Sequence, residues 1–182
     1  MDARGERTNE EPTEEPTMTG VSVTVHKTID DAHGSHGVST KDFKQYREYC
    51  TRKLFRLRHA KDVRQEFVHS SVYVAGEKTR KNAYCPRDIE SSSSPGTSLL
   101  VLLFEAERCW SHGNELKDSG LDTARTRQHA LRKLRKAKTL ADRLVSMSKQ
   151  HGDEKTQLEA SAYGGWMNGN YAFEVGDWKV WQ

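Results

Sequence analysis

The sequence predicts an all-α fold of antiparallel helical hairpins, preceded by a disordered acidic N-terminal tail. Three observations carry this expectation. Apolar residues recur at intervals of three and four through several long segments, and Ser, Thr or Asp stands where most of those segments begin. Apolar residues make up 34% and charged residues 30% of the 182 positions, so the core has to be assembled from amphipathic faces instead of continuous apolar runs. The length suits one domain plus tails.

Residues 1–20 are rich in Glu, Thr and Pro and carry almost nothing apolar, so they cannot bury enough surface to offset chain entropy. Their acids, Asp2, Glu6, Glu10, Glu11, Glu14 and Glu15, mask a considerably more basic body behind a formal net charge of +3. One helical domain is expected over 21–182. In Val21 to Ala32 two periodicities compete: Val21, Val23 and Val25 alternate as in a strand, whereas Val21, Val25, Ile29 and Ala32 follow helical spacing. The longer pattern predicts a short helix that stops in the stretch His33 to Gly37.

Ser39 or Thr40 is expected to cap a second helix. Its stripe is Phe43, Tyr46, Cys50, Leu54 and Leu57, and Arg47, Arg52, Lys53, Arg56, Arg58 and Arg64 occupy its other positions and its continuation. Arg52 and Arg56 point away from the stripe, and Arg47 and Arg58 flank it. Periodicity then fails: a basic flexible loop is expected over about 68–97, containing Lys78, Arg80, Lys81 and the serine run Ser91 to Ser94 before Pro95 and Gly96. Val72, Tyr73 and Val74 in it are compatible with a short strand.

A third helix spans roughly Ser98 to Ser119, with Gly120 as its C-terminal stop. Leu99, Leu102, Leu103, Ala106, Trp110 and Gly113 share one face, broadened by Leu100 and Phe104, which implies burial against more than one neighbour. A fourth helix opens at Asp122 or Thr123 and runs to about Lys149. Leu131, Leu134, Ala137, Ala141, Leu144 and Val145 form its apolar side; Arg125, Arg132, Lys136 and Arg143 lie opposite, with Lys133 and Arg135 at the edges. Between Arg125 and Arg143 the single acid is Asp142, so the i,i+4 carboxylate partners of a self-neutralising helix are missing. Asp153 opens a fifth helix to Val175 that interleaves Leu158, Ala162, Tyr163, Trp166, Gly169, Tyr171 and Phe173. Its end, from Gly169 to Trp178, looks like the first helix and turn of a tetratricopeptide repeat, in which a small residue admits the partner helix and Gly176 shapes the turn.

Several function classes find no residues. The chain has no phosphate loop, no His-Glu-x-x-His helix and no Gly-x-Ser-x-Gly elbow. The longest apolar run, Leu99 to Phe104, falls far short of the roughly 20 residues of a membrane helix, so no membrane insertion is expected. Cys50, Cys85 and Cys109 have no ligand-like spacing and read as reduced thiols; the lack of an apolar span and an N-terminus acidic where a signal peptide is basic predict a cytosolic or nuclear protein. His26, His33 and His36 read as loop and cap residues without carboxylate partners, and Glu105 and Glu107 as solvated charges. No catalytic residue, metal or cofactor is therefore expected. The positive feature is cation density on two helices and the loop between them, with Arg leading Lys on the earlier helix. A planar guanidinium fork suits phosphate and base edges, so the natural counter-charge is a polyanion, and structured RNA fits better than an aromatic single-strand platform.

Particular strings extend this reading. His36 and Gly37, Asp42 and Phe43, Tyr46 and Arg47, Tyr49 and Cys50, the basic run Arg52 to Arg58, Leu99 to Trp110, Leu131 to Ala137, Lys155 to Ala160 and Tyr163 together resemble the RNA-binding domain of the 68-kDa subunit of the eukaryotic signal recognition particle. The resemblance runs in order from Val21 to Trp178. It implies a tetratricopeptide-like helical domain that binds the particle's RNA near the stem junction of its S domain and remodels it there, as a ribonucleoprotein scaffold in co-translational targeting to the endoplasmic reticulum. Arg47, Arg52, Lys53, Arg56, Arg58 and Arg64 become the inserting set by that resemblance, and Arg125, Arg132, Lys133, Arg135, Lys136 and Arg143 the backbone contacts. Lys78, Arg80 and Lys81 are assigned to RNA on charge alone, because 67–96 matches the family poorly. The resemblance further implies a cytoplasmic location with nucleolar assembly and association with the endoplasmic reticulum. Its 72-kDa partner subunit would bind through a C-terminal region beyond this chain, so the chain alone is expected not to form that heterodimer. The rival reading is a tetratricopeptide-type adaptor whose basic helices face an acidic protein segment.

Overall fold

A computed structural model describes residues 20–60, 67–74, 77–84, 94–119 and 123–176. Five helices form the framework: α1 (Val25–Ser35), α2 (Phe43–Arg58), α3 (Pro95–Asp118), α4 (Ala124–His151) and α5 (Glu154–Val175). Between α2 and α3 two strands, β1 (Phe67–Val74) and β2 (Glu77–Tyr84), pair antiparallel with Phe67 opposite Tyr84 and Val74 opposite Glu77. The expected loop over 68–97 is thus replaced at its start by a hairpin, in which Val68, Val72 and Val74 supply the β-branched residues that strands favour. At its other end helix begins three residues earlier than expected, because Pro95 at the first helical position has its φ pre-set and no N–H to satisfy. The acidic tail, Arg64, Cys85, Gly120 and Trp178 lie outside the described residues.

Side-chain pairs fix the helix directions. Glu105 meets Lys136 while Gly113 meets Leu134, so α3 and α4 run antiparallel; Asp142 with Asn168 and Arg135 with Tyr171 set the same relation for α4 and α5. Arg47 with Glu115 and Arg58 with Glu105 make α2 antiparallel to α3. The first helix returns beside α5 in parallel, with His26 bonded to Glu159 and His33 near Trp166. Two glycines permit close approach between neighbouring helices. A Cβ on Gly113 would stand 2.8 Å from Leu134 Cγ, and one on Gly164 would stand 2.8 Å from Val145 Cγ2.

The core follows the predicted stripes of α2, α3 and α4. Tyr46, Cys50 and Leu54 are buried with Leu99, Leu102, Leu103, Phe104, Ala106 and Trp110, and with Leu134, Ala137, Ala141 and Leu144. Phe43 and Leu57 are half-buried beside them. Three caps set the helix starts: Asp42 accepts from the Gln45 N–H, Thr123 from Thr126 and Asp153 from Thr156. Asp42 thus replaces the predicted cap at Ser39 or Thr40, where the intervening turn uses Gly37 at φ 95°. At the far end Gly176 takes the left-handed C-terminal position at φ 76°, as the repeat-like turn predicted.

Two segments depart from the expected faces. The first helix begins at Val25, and residues 21–24 run extended beside the α4–α5 junction. Val21 N–H donates to His151 O, Asp153 N–H donates to Val21 O, and the Thr156 hydroxyl holds both Val23 N–H and its carbonyl. Both periodicities were real, one after the other. On α5 the buried face is Thr156, Ala160, Tyr163, Gly164, Met167, Gly169 and Ala172, whereas Leu158, Ala162, Trp166 and Phe173 are exposed. Thr156 and Gly164, which no hydrophobicity count selects, set that rotation by accepting the N-terminal segment and Val145.

Candidate nucleic-acid interface

The second helix divides along its length as its spacing dictates. Residues facing α3 at intervals of four pack, and Lys44, Arg52, Phe55, Arg56 and His59 face solvent. Lys53 is half-buried, its ammonium 5.7 Å from the Phe104 ring centroid. Two of the predicted set are committed inside the protein. Arg58 is 6% exposed and its Nη2 lies 3.2 Å from Glu105. Arg47 donates through Nε and Nη2 to both oxygens of Glu115, which pushes the guanidinium up and holds the carboxyl below its usual range. The carboxylate partners of Arg47 and Arg58 come from α3, at positions more than forty residues later in the sequence.

The fourth helix keeps its cations outward. Arg125, Arg132, Arg135, Lys136 and Arg143 are exposed and Lys133 is half-buried. Arg135 Nε donates to the Tyr171 hydroxyl at 3.0 Å and its guanidinium lies 5.8 Å from that ring, so one face of it is already stacked. Lys136 reaches Glu105 at 3.7 Å with its side chain 56% exposed, which leaves it largely hydrated. In β2, Lys78, Arg80 and Lys81 stand in register opposite Tyr73, Ser71 and Ser70.

These helices meet along the outer edge of α3. Glu105, Arg108, His112 and Glu115 recur there at intervals of three and four, between Arg47 and Arg58 on one side and His129, Lys133 and Lys136 on the other. His112 registers the convergence: burial lowers its pKa, and Lys133 from α4 and Arg47 from α2 lower it further. Glu105 alone bridges Arg58, Arg108 and Lys136, so three cations share one carboxylate. Arg108 and the exposed Arg127 escaped the sequence reading, and the exposed Lys44, a cation of the second helix, was left out of the candidate set. Arg108 sits on the most apolar helix and the other two at ends of basic ones, and their one signal was a position opposite each apolar stripe.

A second cluster contradicts the reading of Glu107 as a solvated charge. Glu107 is 0% exposed. Its Oε2 accepts from the Tyr46 hydroxyl at 2.7 Å and faces His33 Nε2 at 2.8 Å, and its Oε1 accepts from the Tyr163 hydroxyl at 2.8 Å. His33, read as a loop residue without a carboxylate, is therefore a helical residue bound to one, and it stacks on Trp110 with ring centroids 5.5 Å apart. The cluster ties α1, α2, α3 and α5 through one side chain. Burial, reinforced by the Glu107 charge, raises the pKa of both phenols. Among the described residues no group of three His, Cys, Asp or Glu could hold a metal ion, and no helix is long and apolar enough to cross a membrane.

Comparison with known proteins agrees with this geometry. Residues 39–180 match the family described as RNA-binding signal recognition particle 68. The chain is 32% identical over 181 residues to the signal recognition particle subunit SRP68 of Drosophila melanogaster, covering 96% of this chain and 28% of that protein. It is 30% identical over 164 residues to SRP68 of Caenorhabditis elegans, covering 86% of this chain and 25% of that one. It therefore spans little more than a quarter of these curated relatives. The SRP68 RNA-binding domain structure from Chaetomium thermophilum superposes with a TM-score of 0.62 at 22% identity, covering 85% of this chain and 73% of that one, which shows a shared fold.

Proposed function

Because the chain belongs to the RNA-binding signal recognition particle 68 family, we propose that it binds the particle's RNA as a non-catalytic scaffold domain. The observation that carries the reading is the distribution of unspent charge. Arg52 and Arg56 on α2 and Arg125, Arg132 and Arg143 on α4 are exposed, while the carboxylates of α3 engage Arg47 and Arg58 and so brace the helices that present the others. Backbone neutralisation by such cations supplies affinity, and the fixed separation of two packed helices supplies shape recognition. Binding near the S-domain stem junction and remodelling of the RNA there belong to the same proposal and rest on family membership. So do the 72-kDa partner, bound through a region distal to this chain, and a cytoplasmic particle with nucleolar assembly and endoplasmic reticulum association.

The test is titration of labelled structured RNA, and separately of an acidic peptide, at several salt concentrations. RNA affinity falls steeply with salt. Arg52→Ala with Arg56→Ala weakens RNA binding at least roughly tenfold and reduces the log–log salt slope by about two, with helix content unchanged. Retained affinity in the double variant removes α2 from the interface, and preference for the peptide rejects the RNA reading in favour of an adaptor. A chemical footprint away from the stem junction rejects the assigned position.

A further inference from the structure

Phe55 stands apart from the logic of its helix. It is 61% exposed, on the side of α2 opposite the seam, and among the described residues the other large exposed apolar side chains, Leu158, Trp166, Phe173 and Val175, all lie on α5. One turn before it is Arg52 and beside it Arg56, both exposed. One turn after it is His59, whose ring lies against the Phe55 ring with centroids 4.0 Å apart and planes 30° apart. A single exposed apolar side chain is ordinary on any surface. A pair of rings held together on the face that also carries two exposed arginines is a more specific arrangement.

The hydrogen bond that holds the second ring fixes its chemistry. His59 Nδ1 lies 2.8 Å from the Phe55 carbonyl, which can only accept, so Nδ1 carries the hydrogen and Nε2 is left facing outward. The result is an apolar flat surface with a polar edge beside it, on a helix face that also exposes Arg52 and Arg56. Phosphate contact uses only the guanidiniums. A face of π-electrons is of use to a ligand that offers its own, and within RNA a base exposes that face only when it has left the helical stack.

Resting on the RNA reading above, we infer that Phe55 and His59 form a stacking platform for an unpaired nucleobase, with Arg52 and Arg56 neutralising the flanking phosphates. The platform adds to the arginine contacts one that regular duplex cannot make. Discrimination comes from one ring, and the salt-dependent part of the affinity from the arginines.

Two RNA hairpins of equal length separate these roles: one fully paired, one carrying an asymmetric internal loop with 2-aminopurine at an unpaired position. Phe55→Leu keeps bulk and helix propensity but removes the π-face. It weakens binding to the looped hairpin about tenfold, within the span that stacked bases lose on aromatic removal. Binding to the paired hairpin and the salt slope stay at wild-type values, and Phe55→Tyr retains the loop preference. The 2-aminopurine quenching seen on binding wild-type protein diminishes with Phe55→Leu. Equal affinity of Phe55→Leu and wild type for the looped hairpin overturns the inference, as does an equal loss on both hairpins. Wild-type protein that binds neither hairpin fails the RNA reading itself, and the platform falls with it.

Discussion

Replacing Glu107 with Ala tests the architecture at the point where four helices depend on one side chain. The substitution strands two buried phenol hydroxyls, Tyr46 and Tyr163, whose donors met the carboxylate at 2.7 and 2.8 Å. An orphaned buried hydroxyl costs about 1–3 kcal/mol, so the pair contributes roughly 2–6 kcal/mol. His33 is partly exposed and recovers water for its lost bond. Relief from burying a charge offsets part of the loss, yet breaking a buried charged cluster by removing one member typically leaves a net cost of about 3–5 kcal/mol. For a chain of this size that lowers the melting temperature by roughly 6–20 °C, read by thermal circular dichroism. The triple variant Glu107→Ala, Tyr46→Phe, Tyr163→Phe is less destabilised than the sum of its parts, because no hydroxyl remains to be orphaned. A melting temperature within about 2 °C of wild type for Glu107→Ala, or strict additivity in the triple variant, would refute the reasoning.

Two further outcomes follow from the same core. Trp110→Ala costs roughly 3–5 kcal/mol in urea titration, because its buried ring packs on Phe43 and His33 and contacts Trp166; an unchanged midpoint would place the ring outside the core. Alkali gives the second. The folded phenols of Tyr46 and Tyr163 have raised pKa values, through burial first and Glu107 second, so their contribution is complete below about pH 10 and is lost as pH rises beyond it. Two such groups steepen the decline to about 2.7 kcal/mol per pH unit. Urea midpoints measured from about pH 8 to about pH 12 check this, and a flat profile would contradict the burial of both rings.

What the sequence made legible was whatever is written along one helix. The seam Tyr46, Cys50, Leu54, the apolar side of α3 and most of that of α4 are periodic in the chain and are buried as read, whereas Leu131 and Val145 are only half-buried. Thr123, Asp153 and Gly176 signal their roles within one turn. The hidden features depend on elements distant in sequence. Glu105 and Glu107 are the same residue type two positions apart, and helical phase turns one to the α3 edge and the other to the centre. The three donors that make Glu107 tolerable come from α1, α2 and α5. On α5 an aromatic count favoured Trp166 and Phe173, yet the packed face is chosen by Gly164 against Val145 and by Thr156 against residues 21–23.

The same distinction changes how the charge on α2 should be understood. Arg47 and Arg58 have no acid four residues away on α2, which leaves open neutralisation by a neighbouring helix, and α3 supplies it. Those two pairs differ in consequence. Glu115 and Arg47 are both partly exposed, so their attraction is screened and contributes little to stability. Arg58 is nearly enclosed beside Glu105, so losing Glu105 takes a carboxylate from a cation in poor solvent, whereas Glu105 keeps Arg108 and Lys136 if Arg58 is lost. The pairs therefore act mainly as register pins: they fix the rotation of α2 against α3 and so determine that Arg52, Phe55, Arg56 and His59 face outward together. A helix free to roll by one residue, about 100°, would bring these side chains toward the seam. Cations that look spent on internal pairs are thus a condition for the exposed ones to be presented in a fixed arrangement.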